Sequence, residues 1–254
     1  MKSYLSRINL LSYIVLIVVN LIALELPFFG RTPGDVSDLY TNMLTPANFS
    51  FKIWSVLYIL LGAFVLYGYK KIDGKIPKEV NAIAWLFTLT CLLNMCWLLT
   101  WQSLNIGWAS IIIFIFWIIL IVINFRLTKL GNARWYYRIP FGAYLGWISI
   151  ASLANYNVYL IAHDFAFFGL SEAVVTAWLI GLGICGTLLV LWLNGDIWFT
   201  SVLIWAFFGI YIKNKDALDS STAVVNMSLL AMIILAVAGV ISYVIRRKRI
   251  TRAQ

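Results

Sequence analysis

Residues 106–127 read IGWASIIIFIFWIILIVINFRL, and none of the first 20 carries a charge. A helix of 20 residues rises about 30 Å, which is the thickness of the hydrocarbon core of a bilayer. The stretch lacks the alternation of polar and apolar residues that a transmembrane barrel strand requires. Because lipid offers the backbone no hydrogen-bond partners, a continuous apolar run of this length predicts a transmembrane α-helix.

The whole chain has the same character. Of its 254 residues, 63% are hydrophobic and 11% are charged, whereas an ordinary soluble domain carries about 25% charged residues. So few polar side chains cannot cover the surface of a soluble fold. The composition therefore predicts an all-α, polytopic transmembrane helix bundle without a soluble domain.

Eight stretches are long and apolar enough to cross a bilayer, namely residues 8–29, 47–69, 80–101, 106–127, 137–162, 172–193, 197–212 and 222–245. The seventh is short and follows a tight break at Asn194-Gly195-Asp196. We expect the first to be an uncleaved helix rather than a signal peptide, because its apolar run is too long and no small-residue cleavage site follows it.

The basic residues indicate how the chain is oriented. If the N-terminus is cytoplasmic, 15 of the 19 Lys and Arg residues lie on the inner side and 4 on the outer side. The inner set is Lys2, Arg7, Lys70, Lys71, Lys75, Lys78, Arg126, Lys129, Arg134, Arg138, Arg246, Arg247, Lys248, Arg249 and Arg252, and the outer set is Arg31, Lys52, Lys213 and Lys215. We therefore expect a multi-pass protein of the cell membrane with both termini in the cytoplasm. The basic loops would face anionic lipid headgroups, so no nucleic-acid partner is expected.

Polar side chains at membrane depth are costly, and they are the first candidates for function. Glu25 and Lys52 fall at the same expected face, where they could pair or could each reach water independently. His163 and Asp164 follow on that face, and Glu172 begins the sixth span, where the helix dipole favours an anion. One histidine and three cysteines in apolar runs have no metal-ligand spacing, so no metal site is expected.

Asparagines and glycines predict how the helices pack. Buried asparagines are expected to hydrogen-bond between helices, with a place in a ligand cavity as the alternative. The asparagines are Asn20, Asn94, Asn124, Asn155 and Asn157. A G-x-x-x-G spacing at Gly142 and Gly146, and three further glycines of the sixth span, predict close approach of helices.

The chain contains 12 tryptophans. Those near the ends of spans are expected to form an interfacial belt, namely Trp101, Trp108, Trp135, Trp178, Trp192 and Trp198. Trp54, Trp97 and Trp147 each have a turn or more of helix on both sides. Because a deep tryptophan needs a partner for its indole N–H, these three belong either to the core or to a pocket for a flat, hydrophobic ligand.

Three motifs occur in the order typical of a known family. Residues 45–58 read TPANFSFKIWSVLY, residues 94–97 read NMCW and residues 144–155 read YLGWISIASLAN. They resemble the signatures P-P-x-W-x-F-x-x-V-W-x-x-L-Y, N-x-x-W and Y-x-x-W-x-x-F-A-x-x-L-N of the TspO/MBR family, the tryptophan-rich sensory proteins related to the mitochondrial translocator protein. The resemblance covers residues 8–162, and longer members of the family carry extra helices.

The resemblance implies a five-helix bundle over residues 1–165, with a cavity that opens at the loop after the first helix. It also implies binding of porphyrins or other tetrapyrroles, and of sterols in some members. A porphyrin or haem would be the ligand, and no cofactor is required. The implied ligand-binding residues are Trp54, Trp147, Asn94, Trp97, Tyr144 and Asn155, with Tyr58, Pro46 and Phe49 from the first motif. Lys52 is added because it could meet the charge of a ligand at the mouth of the cavity.

The chain departs from the family pattern at several positions. Thr45 replaces the first proline of the pair, and Phe49 replaces a tryptophan. Phe51 and Lys52 stand where the family often has glycine-rich packing. Residues 166–254 add three helices and a basic cytoplasmic tail that short members lack. These helices could cover the cavity, form a homodimer surface or change the ligand.

The leading hypothesis is a membrane receptor or sensor that binds a flat, hydrophobic ligand, either a tetrapyrrole such as a porphyrin or a sterol-like lipid. The alternative is a transporter or permease subunit for a small hydrophobic solute, although no deep acidic residue is evident to couple protons or Na⁺. A third is light-dependent porphyrin breakdown, in which the chemistry belongs to the excited ligand. No catalytic residue is assigned, because the chain contains no P-loop, H-E-x-x-H or G-x-S-x-G.

Overall fold

The computed structural model describes residues 3–69, 76–130, 134–163, 165, 169–216 and 222–252. Within these residues it contains nine α-helices, one 3-10 helix and no strand, which confirms the predicted all-α fold. The helices are α1 (Ser3–Glu25), α2 (Pro33–Leu39), α3 (Ile53–Tyr69), α4 (Lys78–Gln102), α5 (Ile106–Lys129), α6 (Trp135–Ala162), α7 (Glu172–Asn194), α8 (Ile197–Asn214) and α9 (Thr222–Arg252), and the 3-10 helix is Asn48–Lys52. Outside the described residues lie Lys2, Lys70, Lys71, Lys75 and Asp164, as do the side chains of Trp135, Lys248, Arg249 and Arg252.

Eight spans in the described part of the chain are long and apolar enough to cross a membrane, which confirms the multi-pass prediction. The shortest is α8 with 18 residues, as the sequence predicted for the seventh span. The break before it is also confirmed. Gly195 ends α7 with a φ of +60°, a conformation that costs glycine little, and Asp196 caps the N-terminus of α8.

The first span ends earlier than predicted. It stops at Glu25 rather than at residue 29, because Pro27 has no N–H to donate and disfavours helical geometry at the residue before it. The second span begins as the 3-10 helix and becomes α-helical only at Ile53. The segment between the two spans is therefore longer than the apolar pattern indicated.

The short helix α2 lies in that segment and was not predicted, although its local signal is present. Thr32 accepts a hydrogen bond from the backbone N–H of Asp35 at 3.2 Å, and the Asp35 carboxylate accepts one from the N–H of Thr32 at 2.7 Å. With Pro33 in the first turn, this is a complete capping box. The Thr32 N–H also lowers the pKa of Asp35, because it stabilises the charged carboxylate.

Five of the long helices form one bundle. Helix α1 packs against α3 and α4, α5 packs against α4 and α6, and α6 also packs against α3. Helix α8 packs on the outside of α6, and α9 packs against both α7 and α8. Thus α8 makes the main contact between the C-terminal group and the five-helix bundle.

We call the face of the bundle at which α1 begins the N-terminal face. The half nearest to it is filled by aromatic rings. The Phe64 ring lies 5.0 Å from that of Phe87 and 4.9 Å from that of Phe141, measured between centroids, and all three side chains are fully buried. At this face, the Tyr137 hydroxyl donates to the backbone carbonyl of Tyr67, which ties the start of α6 to the end of α3.

The predicted G-x-x-x-G motif is a contact between α6 and α8. A Cβ placed on Gly142 would lie 2.5 and 2.6 Å from the two carboxylate oxygens of Asp196. A Cβ on Gly146 would lie 2.8 Å from the backbone oxygen of Phe199. No side chain fits at these distances, so the two glycines permit the backbones of α6 and α8 to approach.

The Asp196 carboxylate lies at the centre of this junction. Its Oδ1 accepts the backbone N–H groups of Trp198 and Phe199, both at 3.1 Å, and its Oδ2 accepts the side-chain amide of Asn124 at 2.8 Å. Asn194 in turn donates to the Asn124 side-chain oxygen at 3.0 Å. Asn124 thereby links α5 to the α7–α8 turn, which agrees with its predicted role between helices.

Replacing Gly142 with alanine should destabilise the protein, because the added methyl group displaces the carboxylate that caps α8. Overpacking of this kind costs about 1–3 kcal/mol. We expect Gly142→Ala to lower the thermal unfolding midpoint of the purified protein in detergent. Gly186→Ala is the matched control, because a Cβ at that position meets no atom within 4 Å, and its midpoint should stay unchanged or rise. Equal shifts of the unfolding midpoint in the two variants would show that Gly142 does not lie closely against Asp196.

Candidate functional site

Five aromatic side chains that the sequence singled out converge on one another. Trp54 and Tyr58 of α3, Trp97 of α4, and Tyr144 and Trp147 of α6 form what we call the aromatic cluster. The Trp54 ring is its centre, with centroid distances of 5.6 Å to Tyr58, 6.1 Å to Trp97, 6.1 Å to Tyr144 and 6.2 Å to Trp147. Trp97 and Tyr58 stack on Trp54, whereas the two α6 rings meet it edge to face.

A chain of hydrogen bonds fixes two of these rings. The Tyr58 hydroxyl donates to the Asn20 side-chain oxygen at 2.7 Å, and the Asn20 amide donates to Asn94 at 3.0 Å. The Asn94 amide then donates to the Tyr144 hydroxyl at 3.1 Å. The chain joins α3, α1, α4 and α6, as expected for asparagines that pack between helices. Asn20, which was not among the predicted site residues, therefore holds this part of the cluster in place.

A second link fixes the Trp97 ring. Its indole Nε1 donates to the Asn155 side-chain oxygen at 2.9 Å, and the Asn155 amide donates to the backbone of Ala151. Trp101 stacks on Trp97 at 6.1 Å and donates to the backbone oxygen of Pro33. Trp101 was predicted to be an interfacial anchor, and this is wrong because its side chain is buried beneath α2. Its N–H is thus paired with the first residue of α2.

Trp147 differs from the other tryptophans of the cluster. Its side chain is 2% exposed, and among the described residues its indole Nε1 has no hydrogen-bond partner. The Phe51 ring of the 3-10 helix meets it edge-on at 5.8 Å. A buried indole N–H without an acceptor is costly, and the described residues supply none for Trp147.

Small residues follow Trp147 along α6. Ala151 and Ala154 follow Trp147 at helical spacings of four and seven residues, so they lie on the same face of α6. Both are partly exposed although they lie inside a long helix, and so is Trp54. The face of α6 that carries Trp147 therefore continues with small, partly exposed side chains.

The remaining residues of the first motif lie elsewhere. The Phe49 ring contacts Trp205 and Phe208 of α8, and Pro46 lies against Gly209 of the same helix. Lys52 is exposed, as is Glu25, and no ion pair joins these two described residues. Phe51, which was not predicted, is the residue of the 3-10 helix that reaches Trp147.

Other predicted polar residues have structural partners. His163 Nδ1 lies 2.8 Å from the backbone oxygen of Tyr159, and the described residues contain no group of His, Cys, Asp or Glu able to hold a metal ion. The Glu172 carboxylate accepts the backbone N–H of Met43 at 2.6 Å.

Two buried carboxylates, which the sequence analysis did not anticipate, lie at the N-terminal face. Asp196 caps α8, and Glu79 is fully buried where it accepts the backbone N–H of Arg134 at 3.1 Å.

Comparison with known proteins places this arrangement in context. The family model described as "TSPO-like protein" matches residues 6–241, which reach from α1 into α9 and include the C-terminal helices. The chain is also similar to the tryptophan-rich protein TspO of Chlorobaculum tepidum, with 25% identity over 149 residues. That alignment covers 54% of this chain and 89% of the relative. No solved structure matches the chain significantly.

Removing the Tyr144 hydroxyl tests the hydrogen-bond chain. Tyr144→Phe would leave the buried Asn94 amide without its acceptor, and an unsatisfied buried donor costs about 1–3 kcal/mol. The thermal unfolding midpoint should fall, whereas the same change at Tyr156, which is 54% exposed on the same helix, should leave it in place. If the midpoint of Tyr144→Phe equals that of the wild type, the hydrogen-bond chain from Tyr58 to Tyr144 is contradicted.

Proposed function

The chain belongs to the TSPO-like protein family, and from this premise we propose that it is a membrane receptor whose aromatic cluster binds a flat, hydrophobic ligand. A tetrapyrrole such as a porphyrin and a sterol-like lipid are the two ligand classes that suit the cluster. Binding sites for small molecules are mostly apolar, with a few polar groups that orient the ligand. The aromatic cluster has this composition.

The observation that carries the proposal is the unpaired Nε1 of Trp147. It is buried next to the ring of Trp54, which is partly exposed. A ligand with an acceptor atom, such as a carbonyl, carboxylate or hydroxyl oxygen, would satisfy this donor. The same ligand could lie against the Trp54 face, so that one molecule gains both a hydrogen bond and aromatic contact.

The polar groups next to Trp147 support recognition of the ligand at the one atom, Trp147 Nε1. Trp97, Asn94 and Tyr144 already exchange hydrogen bonds within the protein, so they shape and stiffen the cluster. Lys52, exposed at the end of the 3-10 helix, would meet the charge of an acidic ligand such as a porphyrin. Replacing Lys52 with glutamine would then weaken the binding of an acidic ligand and leave the binding of a neutral sterol unchanged.

The double variant Trp54→Phe/Trp147→Phe should bind protoporphyrin IX at least about tenfold more weakly, because it loses the donor and part of the stacking surface. Binding is followed by the fluorescence of the porphyrin itself, so that the signal does not depend on the number of tryptophans. The control is Trp178→Phe/Trp192→Phe, whose side chains are 75% and 78% exposed on α7. Its affinity should equal that of the wild type.

Equal affinities in the two double variants would show that the cluster is not the site. If no variant and no wild-type protein binds the porphyrin, the same titration is repeated with a fluorescent sterol. The same preparation also tests light-dependent breakdown, because loss of pigment under illumination would indicate destruction of the porphyrin.

A further inference from the structure

Residues 43–52, which we call the mouth segment, lie along α8. Three hydrogen bonds join them. The Asn214 amide donates to the backbone oxygen of Met43 at 2.9 Å, and the N–H of Ala47 donates to the backbone oxygen of Gly209 at 3.1 Å. The indole Nε1 of Trp205 donates to the backbone oxygen of Ser50 at 3.0 Å. The segment is thus held at its beginning, in its middle and near its end.

Close packing accompanies these bonds. A Cβ on Gly209 would lie 2.9 Å from the Cβ of Pro46 and would overlap the side chain of Ser50, which is fully buried. The Phe49 ring meets the Trp205 ring edge-on at 5.4 Å. Gly209 therefore permits a contact between backbones that any side chain would prevent.

Helix α7 holds the same segment from another direction. The carboxylate of Glu172, in the first turn of α7, accepts the N–H of Met43 at 2.6 Å. This bond to a charged acceptor is stronger than one between neutral groups. Both α7 and α8 thus bind the segment that connects α2 to α3.

The segment also reaches the aromatic cluster. Ser50 is bound to Trp205 of α8, and the next residue, Phe51, places its ring 5.8 Å from that of Trp147. Because adjacent residues of one 3-10 helix make these two contacts, the segment cannot leave α8 without moving Phe51 away from Trp147. The position of Phe51 is therefore coupled to the contact with α8.

We propose that α8 anchors the mouth segment over the aromatic cluster, and that Trp205 and Gly209 are positioning residues that control access to Trp147. The statement about access rests on the proposed ligand-binding function. The anchor itself does not depend on it. This gives the C-terminal helices a role in the working of the five-helix bundle.

Release of the mouth segment from α8 would set the rates of ligand entry and exit. If ligand passes only when the segment is released, entry and exit rates both scale with the released fraction. Loss of one internal hydrogen bond changes such a fraction by roughly fivefold. The ratio of the two rates, and hence the affinity, changes little.

The first test uses hydrogen exchange of the ligand-free, full-length protein in detergent. Trp205→Phe keeps an aromatic ring but removes the bond to Ser50. Exchange of peptides covering residues 43–52 should rise about fivefold, whereas that of peptides from α4 and α5 should not change. Trp192→Phe is the matched control, since Trp192 is 78% exposed on α7, and it should leave the segment protected.

The second test measures the rates of protoporphyrin IX binding and release by stopped flow. Trp205→Phe should raise both rates about fivefold at unchanged affinity, a pattern that general destabilisation would not produce. Gly209→Ala should act in the same direction and more strongly, because the methyl group overlaps Ser50.

The outcomes separate the two proposals. Unchanged exchange in Trp205→Phe overturns the anchor. Faster exchange with unchanged binding rates overturns the control of access. If the porphyrin does not bind to any protein, the proposed function fails for that ligand, while the exchange data still confirm or overturn the anchor.

Discussion

The hydrocarbon interior of a membrane offers no water to a polar group, so each polar group must find its partner inside the protein. Most of this structure follows from that constraint. Asparagines and tyrosines of four helices satisfy one another in a chain from Tyr58 to Tyr144, and Trp97 is paired with Asn155. Several buried side-chain atoms of the described residues lack such a partner, and among them the indole Nε1 of Trp147 is the one that lies in the aromatic cluster.

The same constraint explains how the C-terminal helices join the rest. Helix α8 begins where the Asp196 carboxylate caps its first turn and also binds Asn124 of α5. Gly142 leaves room for that carboxylate, and Gly146 lets the two backbones come together. The helices beyond residue 166 are therefore fitted to the five-helix bundle by specific contacts. The family match to residues 6–241, which includes these helices, is consistent with this fit.

Much of the fold could be predicted because it depends on local composition. The eight spans follow from apolar length, and the break before α8 from a glycine and an N-cap residue. The convergence of Trp54, Trp97 and Trp147 followed from a family resemblance. The placement of Pro46 and Phe49 could not be predicted, because it depends on α8. The bond from Trp205 to Ser50, for example, joins residues 155 positions apart. Helix α2 has a capping box in the sequence, but it is too short and too polar to stand out as an apolar run.

The central claim is that the aromatic cluster receives a ligand whose acceptor atom pairs with Trp147. An experimental structure of the full-length protein with protoporphyrin IX tests it most directly. The account predicts the porphyrin against the Trp54 ring, with one of its oxygens within about 3.2 Å of Trp147 Nε1. A porphyrin bound elsewhere, with Trp147 Nε1 paired to a group of the protein, would contradict the account.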